Sequence, residues 1–567
     1  MTLIGKNKKF NLFIIGLVII NLLQSFLTPV IKDEAYYWSW SQHLDWGFFD
    51  HPPMVAFIIK LSSFFFTGGL GVRFITVLLS ALMVKVIWEL IPEKNKEHKY
   101  AELIFFTILF SMPFFNLYGF VTTPDAPLLF FSALYLLAFK KIEEKDNLFN
   151  ILFLSFAAAL LIYTKYFGGI VILLSILFKP KLLLKRSSYI AGIVSLILLA
   201  PYIFWLYKND FITLNYHLFQ RKSIGYFQPK FVYGYVLGTL GVLNPGLIIL
   251  LLIQIFKKKI ASDKQSTFMM RMFVGYLLFF LIYSFRSWIE GHWVAFATIP
   301  MTILLYNLSV LNPKVLSKVK YIGIVSIVLI FALRIVLVLP LPLKTEFHIQ
   351  KKDYYESIDK FAADRVVIFI NSYQNASKFN FYTAKRSFSV NDIFYRKNQY
   401  DLWHFADEIE NKKVIFIGAG SSSFTDSTKL VTGDYVKYKE VDNFRLIGAL
   451  KATMSNPIKT IYSNQAEHLQ VTIYNPYTYN LDLNKENTPY QIALNLEKDN
   501  KNNIVPLSFE DSQKLMANLS KTIDVSYNLN NIKEGHYKLS IVIKDDYLYY
   551  RQISKKYKVE VKSALPD

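Results

Sequence analysis

The chain of 567 residues contains no cysteine. Disulfide bridges, thiol nucleophiles and cysteine-based metal sites are therefore excluded, and any exported domain must be held together by its own core. Charged residues make up only 19% of the chain, whereas 53% of its residues are hydrophobic and 17% are aromatic. This balance excludes an ordinary soluble protein and predicts a polytopic membrane protein.

The net charge of +21 does not indicate a nucleic-acid-binding protein. The lysines and arginines stand in short clusters between apolar runs, which is how topology signals are distributed, and they do not form one basic face. We therefore expect no nucleic-acid partner. The first apolar run follows three lysines and is not followed by a small-residue cleavage site, so we interpret it as an uncleaved signal anchor.

Apolar runs recur until about residue 340 and then stop. A membrane-spanning helix needs about 20 such residues. Eight runs reach this length and three shorter ones are marginal, which predicts about eleven spans. The segment 55–66 carries Lys60 and predicts a helix lying on the membrane surface. The eleven runs are 10–30, 71–91, 101–120, 127–139, 150–164, 167–178, 188–207, 233–256, 268–285, 293–310 and 321–341.

The basic clusters predict the orientation. If the N-terminus is cytoplasmic, alternation places clusters such as 94–99, 140–145 and 257–259 on the inside, as the positive-inside rule requires. An odd number of crossings then places everything after Leu341 outside the cytoplasm. We expect a multi-pass protein of the plasma (inner) membrane, with residues 1–343 forming the membrane domain and its polar side chains gathered at the outer face.

The pattern of apolar and polar residues changes after residue 343. Short buried strands such as 366–370 and 414–417, with helices at 354–363 and 400–409, predict a small extracytoplasmic α/β domain over residues 344–452. From residue 453 to 567 apolar and polar residues alternate between turn signals, which predicts a β-sandwich.

Three polar motifs follow the first spans. Asp33-Glu34-Ala35-Tyr36-Tyr37-Trp38 comes directly after the first run, Asp50-His51-Pro52-Pro53 lies in the same loop, and Thr123-Pro124-Asp125-Ala126-Pro127 precedes a later span. One interpretation is that these acids cap helices. The other is that a carboxylate in a partly dry pocket serves as a general base or a ligand for a sugar or cation.

Several cations fall at the same predicted face. Lys165 interrupts an apolar hairpin, where an uncompensated ammonium is expensive, so we expect a phosphate or carboxylate partner. Arg221, Arg286 and His292 add positive potential there, which suits a phosphate-bearing lipid, although each alone is also typical of an ordinary interfacial cation.

Taken together, these motifs resemble the bacterial branch of the protein O-mannosyltransferase superfamily, which includes the lipid A aminoarabinose transferases. The resemblance rests on residues 33–38, 47–53, 72–74 and 123–128, and it continues through 164–166, 205–211 and 290–293. It covers roughly residues 10–340 and implies a GT-C fold. The C-terminal domains are not diagnostic.

The resemblance also implies an activity. Such enzymes move a sugar with inversion from a polyprenyl-phosphate-linked donor to a hydroxyl or phosphate of a lipid, glycan or protein acceptor. Asp33 would be the base, with Glu34 and Asp125 as further catalytic candidates. Lys165, Arg221 and Arg286 would hold the phosphate, and Tyr37 and Trp38 would stack on sugar or prenyl chain. The remaining predicted substrate-binding residues are Asp50, His51, Glu290 and His292.

Two questions stay open at this stage. Some relatives bind a divalent metal and others need none, so a metal is unassigned, with Asp33 and Asp125 as its ligands if one is bound. The alternative function is a lipid or glycan transporter, although transporters usually place their ionisable residues near the bilayer midplane and here they gather at one interface. We expect a monomer.

Overall fold

The computed structural model separates the chain into two compact units, Met1–Lys351 and Lys352–Asp567. The structure describes residues 8–220, 227–260, 263–343, 345–348, 351–403, 405–418, 424–445, 447–455, 458–463, 465–483, 490–498, 501–509, 513–530, 532–544 and 550–563.

The first unit is helical. Its α-helices are α1 (Lys8–Leu27), α2 (Lys32–Gln42), α3 (Met54–Ser63), α4 (Gly68–Leu90), α5 (Glu93–Lys96), α6 (Ala101–Phe110), α7 (Pro113–Tyr118), α8 (Asp125–Glu144), α9 (Leu148–Thr164), α10 (Phe167–Phe178), α11 (Arg186–Lys208), α12 (Ile212–Asn215), α13 (Pro229–Leu243), α14 (Pro245–Phe256), α15 (Lys264–Ser284), α16 (Thr298–Leu311) and α17 (Pro313–Val338). Short 3₁₀ helices occupy Pro180–Leu184 and Gly291–Ala297, and a π-helix occupies Tyr216–Gln220.

Within the described residues, six helices are long and apolar enough to cross a membrane, and a bent pair raises the number to seven. The six are Lys8–Leu27, Gly68–Leu90, Arg186–Lys208, Lys264–Ser284, Gly291–Leu311 and Pro313–Val338. Shorter apolar helices include α6, α9 and α10. The structure thus has the predicted multi-helix membrane architecture, while the count of about eleven crossings stays a prediction.

The bent pair is α13 and α14, which meet at 102°. The sequence explains the break, because Asn244 precedes Pro245 and a residue before proline is kept out of the helical region. Asn244 takes a positive φ of 70° and its side chain accepts hydrogen bonds from the first amides of α14. Its amide group donates to the Ser111 carbonyl at 2.7 Å, which anchors the bend in the bundle.

The second unit is rich in β-structure. Helices α18 (Lys352–Ala362), α19 (Tyr373–Thr383) and α20 (Ala406–Ile409) accompany the first strands. The strands are β1 (Val366–Ile370), β2 (Phe388–Val390), β3 (Val414–Gly418), β4 (Asp426–Lys429), β5 (Tyr435–Val441), β6 (Lys451–Met454), β7 (Thr460–Ser463), β8 (Ala466–Tyr474), β9 (Leu481–Leu483), β10 (Gln491–Lys498), β11 (Lys501–Pro506), β12 (Gln513–Leu515), β13 (Ser520–Asn528), β14 (Gly535–Lys544), β15 (Arg551–Gln552) and β16 (Tyr557–Ser563).

In the described part of this unit, the first five strands form one sheet in the order β2-β1-β3-β5-β4. Strands β1, β2 and β3 are parallel and almost continuously apolar, as expected for strands covered on both faces. The later strands form a sheet β11-β10-β14-β16-β7 and a sheet β13-β8-β6, with β9 paired to β12. Side chains from these sheets share one apolar core, which includes Val471, Leu494, Val525 and Leu539.

The predicted helix over 400–409 is replaced by two short pieces, a 3₁₀ helix Gln399–Asp401 and α20. Asp401 explains the first piece. Its Oδ2 accepts hydrogen bonds from the Asn398 amide at 2.8 Å and from the Asn391 side chain at 2.7 Å, so it closes a local capping box instead of continuing a helix. Burial raises the pKa of this carboxyl above its usual range.

The raised pKa predicts a pH dependence of stability. Because the native state holds the proton more tightly than the unfolded chain, the contribution of Asp401 is greatest at low pH and is lost as the pH rises from about 4 through the native pKa. We expect Asp401→Asn to abolish this loss of folding stability. The loss amounts to about 1.4 kcal/mol for each unit by which the native pKa is raised. Thermal unfolding of the full-length protein between pH 4 and 7 measures it, with the exposed Asp353→Asn as control. Parallel profiles for the wild type and Asp401→Asn would contradict it.

Candidate active site

The two adjacent acids lie in the first turn of α2. A hydrophobic stretch ends at Ile31, and Glu34 Oε2 accepts a hydrogen bond from the Ile31 amide at 3.1 Å, which caps the new helix. Carboxylates are favoured here because the amino end of a helix carries partial positive charge. Glu34 is fully buried, whereas Asp33 is half-buried. The two neighbours therefore occupy different environments.

Glu34 forms a fully buried ion pair with Arg73 of α4. Arg73 Nε donates to Glu34 Oε1 at 2.8 Å and Nη2 donates to Oε2 at 2.5 Å, a bidentate arrangement. The other guanidinium hydrogens go to the carbonyls of Ser25, Thr28 and Pro29 at 2.9–3.1 Å. This saturation is what a buried charge pair requires, since an unsatisfied one is strongly destabilising. The pair joins the end of α1 to α2 and α4.

The same carboxylate holds the segment that leads into α8. Glu34 Oε1 accepts a hydrogen bond from the Thr122 amide at 2.9 Å. The Thr122 hydroxyl lies 3.0 Å from the Val72 carbonyl and 2.7 Å from the Thr76 hydroxyl. Asp125 begins α8 three residues later. The first acidic motif and the Asp125 motif are thus brought together at one end of the helical unit.

Asp125 forms the second buried ion pair. The Lys165 ammonium, at the end of α9, donates to Asp125 Oδ1 at 2.8 Å and to Oδ2 at 3.0 Å. The Lys165 nitrogen also lies 5.0 Å from the centroid of the Phe167 ring. His292 Nε2 approaches Asp125 Oδ2 to 4.0 Å. The structure supplies the carboxylate partner that the sequence predicted for Lys165.

Tyr118 connects the two acidic positions. Its hydroxyl lies within electrostatic range of the carboxylates of Asp125, Asp33, Glu346 and Glu290. Glu290 itself precedes the 3₁₀ helix Gly291–Ala297 and is half-buried. Asp125, Lys165 and His292 are in contact, and Asp33 and Glu290 lie within electrostatic range of the same tyrosine; we call these five residues the acidic cluster.

A second group of site residues surrounds the loop after α2. The Tyr36 hydroxyl donates to Asp50 Oδ2 at 3.0 Å, and His217 Nε2 donates to the Asp50 carbonyl at 2.7 Å. The His51 ring stacks on the His217 ring at a centroid distance of 5.9 Å and lies tilted to the Tyr37 ring at 6.1 Å. His217 belongs to the π-helix, a rare element that occurs often at functional sites.

The remaining predicted site residues are Trp38, Arg286 and Arg221. Trp38 is half-buried on α2. Arg286 is exposed after α15, where its amide donates to the Tyr283 carbonyl at 3.0 Å. Arg221 lies outside the described residues. Within the described ranges, no group of three or more histidine and carboxylate side chains is arranged to hold a metal ion.

Sequence reasoning did not assign roles to Arg73, Tyr118, Thr122 or His217. Arg73 carried a detectable signal, because an arginine near the start of an apolar span demands a buried partner. The partner itself could not be read from spacing, since Glu34 stands 39 residues away. His217 lies 167 residues from Asp50, so no local sequence pattern predicts their contact.

Comparison with known proteins agrees with the sequence motifs. Residues 50–205 match a family described as dolichyl-phosphate-mannose-protein mannosyltransferase. The chain is 27% identical over 197 residues to the lipid A galacturonosyltransferase RgtD of Rhizobium johnstonii, a match that covers 33% of this chain. The chain spans only 41% of the length of this curated relative.

Solved structures show the same fold. ArnT from Cupriavidus metallidurans in the apo state has a TM-score of 0.54 at 10% identity, over 76% of this chain and 97% of ArnT. Its structure bound to undecaprenyl phosphate gives 0.54 at 11% identity, over 77% and 98%. Together with the family match over residues 50–205, these findings confirm the predicted resemblance: the chain is a membrane protein that is similar to the mannosyltransferase family in sequence and shares the fold of ArnT.

Proposed function

We propose that this protein is an inverting glycosyltransferase. It moves a sugar from a polyprenyl-phosphate-linked donor to a hydroxyl or phosphate of a lipid, glycan or protein acceptor. The observation that carries the proposal is the hydrogen bond from the Thr122 amide to Glu34, which brings the Asp33 motif and the Asp125–Lys165 pair to one end of the helical unit. The known relatives named above support the reaction class.

The proposed step uses Asp33 as the general base. Its carboxylate takes the proton of the acceptor hydroxyl, and the acceptor oxygen forms a bond to the anomeric carbon of the donor sugar. The bond from that carbon to the phosphate oxygen breaks, and the polyprenyl phosphate leaves with the electron pair. Attack from the face opposite the phosphate inverts the anomeric centre. Asp33 suits this role because it is half-buried and adjacent to a rigid, fully buried neighbour.

Lys165 is the proposed phosphate anchor. An ammonium has three donors and its charge is nearly fully buried here, so a phosphate that gains negative charge as it leaves would be strongly stabilised. Asp125 holds this ammonium in place through two hydrogen bonds and thereby orients the donor. Arg286 and Arg221 are further candidates for the phosphate, and His51, Asp50, Tyr37 and Trp38 for the sugar or the prenyl chain.

Glu34 takes a different proposed role from Asp33. Its two oxygens are occupied by Arg73, Thr122 and Ile31, so we propose that it positions Asp33 and the Thr122 segment and does not transfer the proton itself. His292 approaches Asp125, and His292 and Glu290 are proposed to orient the acceptor. A metal ion is not assigned to any step, and Asp33 and Asp125 remain the residues that would contact one.

We also propose the predicted orientation, with the acidic cluster at the extracytoplasmic face of the plasma membrane and a cytoplasmic N-terminus. About eleven crossings follow if the six long helices and the bent pair are joined by α6 with α7, α8, α9 and α10. Residues 344–452 and 453–567 would then form extracytoplasmic domains, and a monomer remains our expectation.

Transfer by the purified protein in lipid tests the function. A panel of labelled polyprenyl-phosphate sugars is incubated with the protein and a lipid, glycan or peptide acceptor. We expect Lys165→Met to raise the KM for the donor about 10–100-fold, because it loses a charged hydrogen bond to the phosphate. The exposed Lys181→Met is the control and should leave it unchanged. Movement of labelled lipid between leaflets without transfer would establish the transporter instead.

A further inference from the structure

The helical unit contains a third buried cation, which the proposed reaction does not use. Arg334 of α17 is only 6% exposed. Its partners among the described residues are neutral amides: Nη2 donates to Asn21 Oδ1 at 2.7 Å and Nε donates to Gln24 Oε1 at 3.3 Å. Nη1 lies 3.5 Å from Asn116 Oδ1. A permanent charge held in a membrane domain by neutral groups is expensive, so its presence calls for a function.

These contacts lead to the segment in front of the acidic cluster. Asn21, which accepts from Arg334, donates its own amide hydrogen to the Gly119 carbonyl at 3.2 Å. Gln24 donates to the Arg334 carbonyl at 3.1 Å while accepting from its Nε, so α1 and α17 are locked reciprocally. Arg334 therefore reaches Gly119 through one intervening side chain.

Phe120 provides a second route. Its fully buried ring lies 5.2 Å from the guanidinium carbon of Arg334 and 5.7 Å from that of Arg73. Two guanidinium groups thus hold one aromatic ring, and each such contact is attractive when water is excluded. Thr122, two residues later, is fixed by Glu34, and Asp125 follows.

We propose that Arg334 is a positioning residue: it fixes residues 119–122 through Asn21 and Phe120, and thereby sets the place of Thr122 and Asp125. The catalytic part of this inference rests on the transferase function proposed above. Arginine suits the task because its planar fork offers five donors and a face that stacks on an aromatic ring. A lysine at this position would keep the charge and lose both the fork and the stacking.

Hydrogen exchange of the full-length protein tests the anchoring without an activity assay. Arg334→Met and Arg334→Lys should both speed exchange of the amides of Phe120, Val121 and Thr122 about tenfold, since a charged hydrogen-bond network is lost. Lys320→Met, an exposed change on the same helix, should not. If Arg334→Met does not fold, Asn21→Ala removes the hydrogen bonds from Arg334 to Asn21 and from Asn21 to Gly119 while keeping the arginine. It should speed the hydrogen exchange of the same amides. Unchanged exchange in the folded variants overturns the proposal.

Kinetics test the link to catalysis. Arg334→Met should lower kcat about tenfold and raise the donor KM, because displacing Asp125 also disturbs Lys165, and Arg334→Lys should restore neither. Because Arg334 acts on Gly119 through Asn21, the effects of Arg334→Met and Asn21→Ala on kcat should sum to less than full additivity. Additive effects, or full rescue by lysine, would overturn the positioning role. If the wild type transfers no sugar while exchange responds as expected, the transferase proposal fails and the anchoring stands.

Discussion

Replacing Asp33 with asparagine should lower sugar transfer about 10²–10⁴-fold, the range that a general base contributes. Asparagine keeps the size and hydrogen-bonding shape of the side chain but cannot accept the acceptor's proton. The buried Glu34–Arg73 pair next to it is untouched, so the fold and the donor site should survive. Single-turnover transfer with labelled donor measures the chemical step directly.

Two controls make this result interpretable. Glu97→Gln removes an exposed carboxylate and should leave transfer unchanged. Binding of unlabelled polyprenyl phosphate should remain within about twofold in Asp33→Asn, because the proposed phosphate contacts belong to Lys165. If transfer by Asp33→Asn stays near the wild-type rate, the base is another residue.

The membrane architecture could be predicted because its signals are local. Apolar runs and the clusters of lysine between them indicate helices directly, and the acids at residues 33 and 125 stand where such runs end or begin. The bend between α13 and α14, which falls inside the predicted span 233–256, also has a local signal in Asn244-Pro245.

The connections between motifs could not be predicted from the sequence. Glu34 of α2, Arg73 of α4 and Thr122 of the segment before α8 meet at separations of 39 and 88 residues, and only the packing of the bundle brings them together. From the sequence, Glu34 is predicted to be a second catalytic acid, because a carboxylate beside Asp33 has the same chemistry. Burial and saturation of its oxygens distinguish the two, and neither property is visible in a motif.

Tertiary context also overrode the pattern in the C-terminal unit. Residues 400–409 have the apolar spacing of a helix, but the Asp401 carboxylate accepts hydrogen bonds from the Asn398 amide and the Asn391 side chain. Acids that bond to nearby backbone favour caps and turns over helix interiors. The sheets were predictable, since continuous apolar strands and alternating strands carry distinct periodicities.

Breaking the Glu34–Arg73 pair should cause the largest loss of stability. Glu34→Ala leaves a buried guanidinium without its counter-charge, which destabilises a protein by about 3–5 kcal/mol. We expect a loss of this size in the free energy of unfolding, measured by titration with a denaturing detergent. The partly exposed pair of Glu143 and Lys179 is a matched control, because Glu143→Gln should cost less than about 1 kcal/mol.

A double substitution separates the stabilising role of the pair from its positioning role. Glu34→Met with Arg73→Met removes both charges and replaces them with apolar side chains, so most of the lost stability should return. Transfer should not return, because the Thr122 amide then lacks the carboxylate that holds it at the start of α2. Recovery of stability and transfer together would mean that this end of the bundle is set by packing alone, and that Glu34 has no positioning role.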